Sequence, residues 1–360
     1  MANDNLANAQ RARNDEFYTQ WNDIQNEIAA YLEYDPDVFR GKTILLPCDD
    51  PEWSNFTKIF AQNFQRFGIK KLISTSYAEN SKNYKSGYLP TLFETSDPQY
   101  DPKKTEVKGK IFTLTRDKNA DGKIDFDDLD WKYLKGDGDF RSKEITELRD
   151  EADMIITNPP FSLFLEFLSW IVEAEKSFVI IGNLNSITYK DVFPLIKNDK
   201  MWLGKGFKGG NAYFSTPVKR EYAQGVYNPE TGLVKFRNVC WFTNLDHGRR
   251  HVPLDLMTME ENLKYNKKIR DKDAYETYDN YDAIEVPYTD AIPEDYDGVM
   301  GVPVSFLDKY SPEQFVILGA TESEGKGFSE GLWDEKSNVA QAVVNGRRVY
   351  KRLFIKHRGN

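Results

Sequence analysis

The sequence predicts an α/β fold built on a doubly wound, largely parallel sheet, and three stretches predict it. Met154-Ile155-Ile156-Thr157 is an apolar run of strand type that ends at Asn158-Pro159-Pro160-Phe161. A helical pattern follows at once, with Leu163, Phe164, Phe167, Leu168, Ile171 and Val172 recurring every three or four residues. Another such stretch is Thr43 to Cys48, the first buried strand in chain order, followed by a loop and a helix carrying Phe56, Ile59, Phe60, Phe64 and Phe67. Phe178-Val179-Ile180-Ile181-Gly182 reads as a third. Strand, turn and helix in repetition set loops along the carboxyl edge of a parallel sheet, where folds of this kind hold their ligands.

A chain of 360 residues holds one large domain or two moderate ones. Two cysteines, Cys48 and Cys240, make no disulfide framework and point to a reducing cytoplasm. No apolar run approaches the roughly 18 residues of a membrane span, and residues 1–20 lack the apolar core of a signal peptide. The net charge of -9 disfavours a general affinity for phosphate, but its distribution is uneven. Acid gathers at 117–139 and 271–297; base gathers at Arg249-Arg250-His251, at Lys264 to Arg270 and at Arg347 to Arg358.

In order along the chain, Phe17-Tyr18-Thr19 precedes a helical pattern through Trp21, Ile24, Ile28 and Leu32, against which the two aromatic rings would pack. After the first buried strand comes Asp49-Asp50-Pro51-Glu52-Trp53, with Ser54 as helix N-cap and Gly68 as its stop. No glycine lies between Cys48 and Ser54, so backbone alone would not embrace a pyrophosphate there. Asp49 or Asp50 is placed to pair with a cationic ligand, and the loop would otherwise be a capped acidic turn. Lys70 to Tyr77 reads as the second strand, with Glu79 or Tyr77 at its end as candidate ribose partner. Residues 80–102 read as polar loop and Val107 to Leu114 as a further strand.

Asp117 to Asp128 has the register of an EF-hand-type calcium loop. Oxygen side chains stand at positions 1, 3, 5, 9 and 12 (Asp117, Asn119, Asp121, Asp125, Asp128), glycine at 6 and the Lys123 carbonyl at 7. The last ligand is Asp rather than Glu, as in dockerin-like loops, and a β-type segment precedes it; an acidic hairpin is the competing reading. The role expected of a Ca2+ ion here is structural. Met201 to Gly204 and Asn238 to Thr243 read as the hairpin strands that finish the sheet, with the Gly204 to Phe214 stretch between them bordering a pocket or packing as loop. From Leu245 the pattern changes to a separate mixed region. The expected division is a domain of residues 1–248, with the calcium-loop-like insert at 115–135, and a second region of 249–360. The basic strand-like tail from Arg347 to Lys356 suits either a solvated sheet edge or phosphate contact.

The Asn158 turn is suited to attack by an aromatic amine. The exocyclic nitrogen of adenine shares its lone pair with the ring, and two acceptors on its hydrogens would draw that lone pair out. The Asn158 amide oxygen and the Pro159 carbonyl are such acceptors. Pro160 restricts the backbone of Pro159, neither proline has an N–H to compete, and Phe161 would stack on the base for about 1–3 kcal/mol. The competing reading is a proline turn that closes a buried strand.

Asn158-Pro159-Pro160-Phe161 between a strand and an amphipathic helix resembles the catalytic motif of amino-group methyltransferases that use S-adenosylmethionine. With Asp15-Glu16-Phe17-Tyr18-Thr19, Cys48 to Phe56, Gly136 to Ser142, Trp241 to Leu245 and Met300-Gly301-Val302-Pro303, the chain resembles the EcoRI-type adenine-specific DNA methyltransferases over nearly its whole length. The resemblance implies a Rossmann-like class I catalytic domain followed by a mixed target-recognition region. It implies methyl transfer to adenine in double-stranded DNA by base flipping and direct in-line attack. It places the cofactor against Phe17, Tyr18, Thr19, Cys48, Asp49, Asp50, Pro51, Ser54, Asn55, Tyr77, Asp139 and Phe140, with Asp139 accepting from the cofactor's adenine amine and Phe140 beside its ring. It also implies a cognate restriction endonuclease in the same system, not physically bound. The alternatives are a methyltransferase for a protein glutamine amide, whose turn usually carries Tyr where Phe161 stands, and a catalytically inactive DNA-binding relative.

Overall fold

The computed structural model describes residues 17–49, 54–78, 97–207, 211–216, 222–321, 331–332 and 340–359. In chain order its strands are β1 (Tyr18–Thr19), β2 (Thr43–Leu46), β3 (Lys71–Ser76), β4 (Lys110–Leu114), β5 (Asp130–Tyr133), β6 (Met154–Thr157), β7 (Ser177–Asn183), β8 (Trp202–Leu203) and β9 (Asn211–Ser215). They continue as β10 (Tyr227–Asn228), β11 (Leu233–Arg237), β12 (Val239–Thr243), β13 (Ile284–Glu285), β14 (Met300–Pro303), β15 (Phe315–Ala320), β16 (Val343–Val344), β17 (Arg347–Arg348) and β18 (Arg352–His357). The helices are α1 (Trp21–Tyr34), α2 (Asn55–Gln62), α3 (Phe64–Phe67), α4 (Pro102–Val107), α5 (Lys143–Glu151), α6 (Phe164–Val172), α7 (Phe193–Lys197) and α8 (Met259–Tyr265). None is long and apolar enough to cross a membrane among the described residues.

Two compact units divide the chain: residues 1–183 with 204–245, and residues 184–203 with 246–360. The division expected at 248/249 leaves 184–203 with the first domain, whereas the contacts group that segment with the second.

The first unit is α/β around a large mixed sheet. Its strands run in the order β5-β4-β3-β2-β6-β7-β12. The central four, β3, β2, β6 and β7, are parallel, and β4, β5 and β12 are antiparallel to their neighbours. Every residue of β2 and β6 is buried, which is why both read as unbroken apolar runs. From β2 the chain goes to β3 on one side, and β6 lies on the other, the switch in strand order that in sheets of this kind sets the ligand crevice beyond the carboxyl ends of β2 and β6. Ile24, Ile28 and Tyr31 line the buried stripe of α1. Ser54 caps α2 by accepting from Phe56 N at 3.1 Å, and Gly68, at φ 65°, ends α3.

Residues 102–107 are helix, which takes Pro102 from the expected polar loop and Val107 from the expected strand; that strand, β4, begins at Lys110. Asp101 accepts from the N–H groups of Lys103 and Lys104, and Pro102 sits at the first helical position, so a capped helix begins at the end of the polar stretch. A second, smaller sheet of order β1-β9-β11-β10 lays Phe214 and Val234 inward and Tyr213 outward.

The second unit is organised by a sheet of order β13-β14-β18-β15. The basic tail divides: Arg347 and Arg348 are exposed in β17, which pairs only with β16, whereas β18 is an interior strand whose Leu353, Phe354 and Ile355 have no exposed surface. Arg352 is buried in a fork with Glu285, Nη2 to Oε1 at 2.7 Å and Nε to Oε2 at 3.1 Å, and Tyr278 donates to the same carboxylate. In the Arg249-Arg250-His251 segment Arg249 is exposed, but Arg250 is buried and His251 half-buried within this unit. Arg250 lies 3.7 Å over the Trp202 ring and pairs with Asp199 and Asp246. His251 bridges Asp246 at 2.9 Å and Glu313 at 2.7 Å. Burial lowers its pKa, but the hydrogen bonds to Glu313 and Asp246 outweigh this and hold it above its ordinary 6.5.

Two predictions follow from these ion pairs. Arg352→Met strands Glu285 in the interior and costs about 3–5 kcal/mol in chemical denaturation, whereas Arg352→Met/Glu285→Leu costs much less. Because the His251 pKa is raised in the folded chain, its contribution is complete below 6.5 and is lost as pH rises through the folded value. Denaturation midpoints of His251→Gln should therefore fall less steeply above pH 6.5 than those of the parent protein.

Candidate active site

Asn158 follows β6, so the parallel sheet delivers its side chain to the crevice edge. Its Nδ2 donates to the Phe17 carbonyl at 2.6 Å. A carbonyl only accepts, so this contact fixes which end of the amide is which. The other end, Oδ1, is buried and has no hydrogen-bond partner. A buried acceptor left unmatched costs about 1–3 kcal/mol, and in a native site such an atom calls for a donor from outside the chain. Pro159 is buried behind it, and Pro160 leads into a single 3-10 turn, Phe161–Leu163, ahead of α6.

The Phe161 ring is half-buried in a wall of phenylalanines. It stacks on Phe236 at 5.7 Å and 29°, meets Phe214 edge-on at 6.1 Å and lies 6.4 Å from Phe17. The strand pairing Thr19↔Phe214 brings the N-terminal Phe17-Tyr18-Thr19 segment here. Thr19 is buried, its carbonyl accepts from Asn55 Nδ2 at 2.8 Å, and its hydroxyl has no partner. Sequence reasoning missed Phe236, although the alternating pattern of Leu233-Val234-Lys235-Phe236-Arg237 is the signal that would have found its inward face.

The loop after β2 supplies the opposite side. Asp49 is buried, and both carboxylate oxygens are occupied: Ser54 Oγ donates to Oδ1 at 2.7 Å and Thr157 Oγ1 to Oδ2 at 2.5 Å. Asp49 therefore shapes the loop from within and does not stand open to a cation. Asp50 and Pro51, with Asp15, Glu16 and Glu79, lie outside the described residues. Cys48, in the left-handed region at φ 65°, directs Sγ to the Tyr77 hydroxyl at 3.4 Å. Burial first, and then the neighbouring Cys48, push the Tyr77 phenol far above its ordinary value, so it stays protonated.

Asp139 is half-buried and already held by Arg141, through Nη2 at 2.6 Å, Nε at 2.9 Å and the main-chain N–H at 2.8 Å. Phe140 has no exposed surface; it packs edge-on to Phe167 at 5.0 Å and Trp170 at 5.6 Å. Its ring seats the turn against α6 and presents no face to a ligand. Gly138, at φ 88°, lets this turn lie against β3: a Cβ there would fall 2.3 Å from the Ser76 carbonyl.

In the 117–128 loop the candidate ligands turn onto backbone N–H groups. Asp117 accepts from Ala120 and Gly122, Asn119 from Asp121, Asp121 from Lys123, and Asp125 from Asp127. Asp128 accepts from Lys118, Asn119 and Asp125. The Lys118 N–H foremost, with that of Asp125, holds the Asp128 carboxyl below its ordinary value. Among the described residues no three His, Cys, Asp or Glu side chains converge as a metal cage would require. The side chains curl the loop, and an ion would have to draw them together.

Comparison with known proteins bears on the whole chain. The model of a family described as adenine-specific methyltransferase EcoRI matches residues 5–358. Type II methyltransferase M.EcoRI of Escherichia coli is 39% identical over 356 residues, which cover 98% of this chain and 96% of that protein. Type II methyltransferase M.MgeORF184P of Mycoplasma genitalium is 31% identical, covering 97% of each chain. Type II methyltransferase M.MpnI of Mycoplasma pneumoniae is 28% identical, covering 98% of each. No solved structure matches the chain.

Proposed function

The chain belongs to the EcoRI family of adenine-specific methyltransferases, and from that premise we propose that the Asn158 turn is where an extruded adenine of duplex DNA is methylated. The observation that carries this reading is the Asn158 amide, clamped at its nitrogen by Phe17 and left with a buried, unmatched oxygen. An adenine amino group is the donor that atom lacks. Accepting from it, Asn158 favours the lone pair leaving ring conjugation, and the clamp means that little reorganisation is needed when the base arrives. Extrusion costs a few kcal/mol, which the phenylalanine wall around Phe161 helps to repay by stacking.

Bound S-adenosylmethionine would supply an electrophilic methyl group on a sulfonium centre. The crevice fits it in two respects. The buried Thr19 hydroxyl has no partner within the chain, and the loop from Cys48 to Ser54 lacks the glycines that a pyrophosphate would need. Phe17, Tyr18, Thr19, Cys48, Ser54, Asn55 and Tyr77 would hold it. Asp49 and Phe140 would act from behind, by bracing the loop and the glycine turn. Target recognition we assign to the second unit, whose exposed cations Lys267, Arg270, Arg347 and Arg348 suit phosphate contact. A type II system would pair this activity with an endonuclease of the same specificity in the cytoplasm. For the 117–128 loop we retain a structural calcium ion, supported by the position of each oxygen-bearing residue.

Asn158→Ala should keep its fold and lower the transfer of labelled methyl groups to duplex DNA at least about 100-fold, by analogy with loss of one charge-stabilising group. Label recovered at the parent rate would remove Asn158 from the reaction. Adding a calcium chelator should lower the thermal midpoint of the metal-loaded protein, and calcium should restore it. A midpoint indifferent to both would leave the loop held by its own turns.

A further inference from the structure

The ladder between β2 and β6 runs only to Leu45↔Ile155, two residues short of Thr157. Beyond it, one buried side chain ties the two strand ends together. The Thr157 hydroxyl lies 2.6 Å from the Pro47 carbonyl and 2.5 Å from Asp49 Oδ2, so a single hydrogen is shared between two acceptors. Asp49 passes the connection on. Its Oδ1 takes the Ser54 hydroxyl at 2.7 Å, and Ser54 caps α2, whose first residue, Asn55, holds the Thr19 carbonyl at 2.8 Å. Two residues back from Thr19, the Phe17 carbonyl receives the Asn158 amide at 2.6 Å, and Asn158 is bonded to Thr157. The circuit is closed: Thr157, Asp49, Ser54, Asn55, the 17–19 segment and Asn158 hold one another across four stretches of chain.

We propose that Thr157 is a positioning residue that sets the Asn158 amide by fixing the loop after β2 against the end of β6. The inference rests on the reading of Asn158 as the adenine acceptor and of the Asp49 loop as the cofactor's seat. A closed circuit of hydrogen bonds transmits displacement, because a shift of one member moves the groups bonded to it on either side. Removing the Thr157 hydroxyl opens it where the loop meets the turn. Both reactants would then be held with less alignment, which lowers turnover as well as cofactor binding. DNA affinity, which depends on contacts elsewhere, should not follow.

The test is steady-state kinetics of the full-length enzyme with S-adenosylmethionine and a methylatable duplex, beside thermal midpoints. Thr157→Val, isosteric but without the donor, should lower kcat about tenfold or more and raise KM for S-adenosylmethionine, with KM for DNA within about twofold of the parent value. Thr157→Ser, which restores the hydroxyl, should recover both parameters. Parent-like kinetics in Thr157→Val would overturn the inference, as would a loss confined to the melting temperature and the amount of folded enzyme, or a Thr157→Ser variant as impaired as the valine. Should the valine variant not fold, Thr157→Ala takes its place, and full activity there overturns the inference. Asn158→Ala is run in parallel. Equal activity of that variant and the parent would sink the underlying site reading, whereas an inactive Asn158→Ala beside a parent-like Thr157→Val sinks only the role given to Thr157.

Discussion

The Asn158 side chain has two hydrogen-bonding ends, and the fold satisfies one. Its nitrogen is committed to the Phe17 carbonyl, which in turn requires the 17–19 segment to lie along β9. That pairing brings Phe17 into edge contact with Phe236 at 4.7 Å and with Phe214 at 6.3 Å, so the aromatic wall and the orientation of the amide are consequences of one strand placement. The oxygen left over is a stored cost, tolerated because the sheet, the two prolines and the wall over-determine the turn. Preorganisation of this kind suits a reaction whose difficulty lies in drawing a delocalised lone pair out of an aromatic amine.

Elsewhere the chain spends its unusual residues on holding itself together. In the first unit Glu27 is wholly buried, accepts from Tyr31 and from the N–H groups of Lys205 and Gly206, and so pins α1 to the segment leading toward β9. Burial raises its pKa. Gly204 is required beside it, because a Cβ there would fall 1.9 Å from the glutamate oxygen. In the second unit the Arg352–Glu285–Tyr278 cluster and the Arg250–Trp202 stack take cations that a linear reading would offer to phosphate. Arginine serves both purposes, since its planar fork matches a carboxylate or a phosphate equally well and its face lies flat on an aromatic ring. Which use prevails depends on whether an acid or an indole is folded against it, and the local sequence does not say.

The same distinction separates what was legible at the site from what was not. The strand–turn–helix at Asn158, the cap at Ser54 and the stop at Gly68 each depend on neighbours within a few residues, and each stands where the sequence puts it. Phe140 and Asp139 read as ligand contacts because the pair sits at the right point in the motif order, yet Phe167, Trp170 and Arg141 surround them. Asp49 reads as a free acid because Thr157, 108 positions away, cannot be seen from the loop.

By itself the sequence determined the alternation of strands and helices, the capped and glycine-stopped helix ends, the proline turn at the end of β6 and the family to which the motifs belong. These rest on short-range chemistry: side-chain periodicity, φ restriction and the hydroxyl that replaces a missing backbone partner. Only the tertiary structure decided which end of the Asn158 amide is committed, which acids and arginines are internal, that 184–203 joins the second unit and that the last part of the basic tail, from Arg352, is an interior strand. Those outcomes turn on partners distant in the chain, and a hydrogen bond or an ion pair is assigned by where the groups meet rather than by what they are.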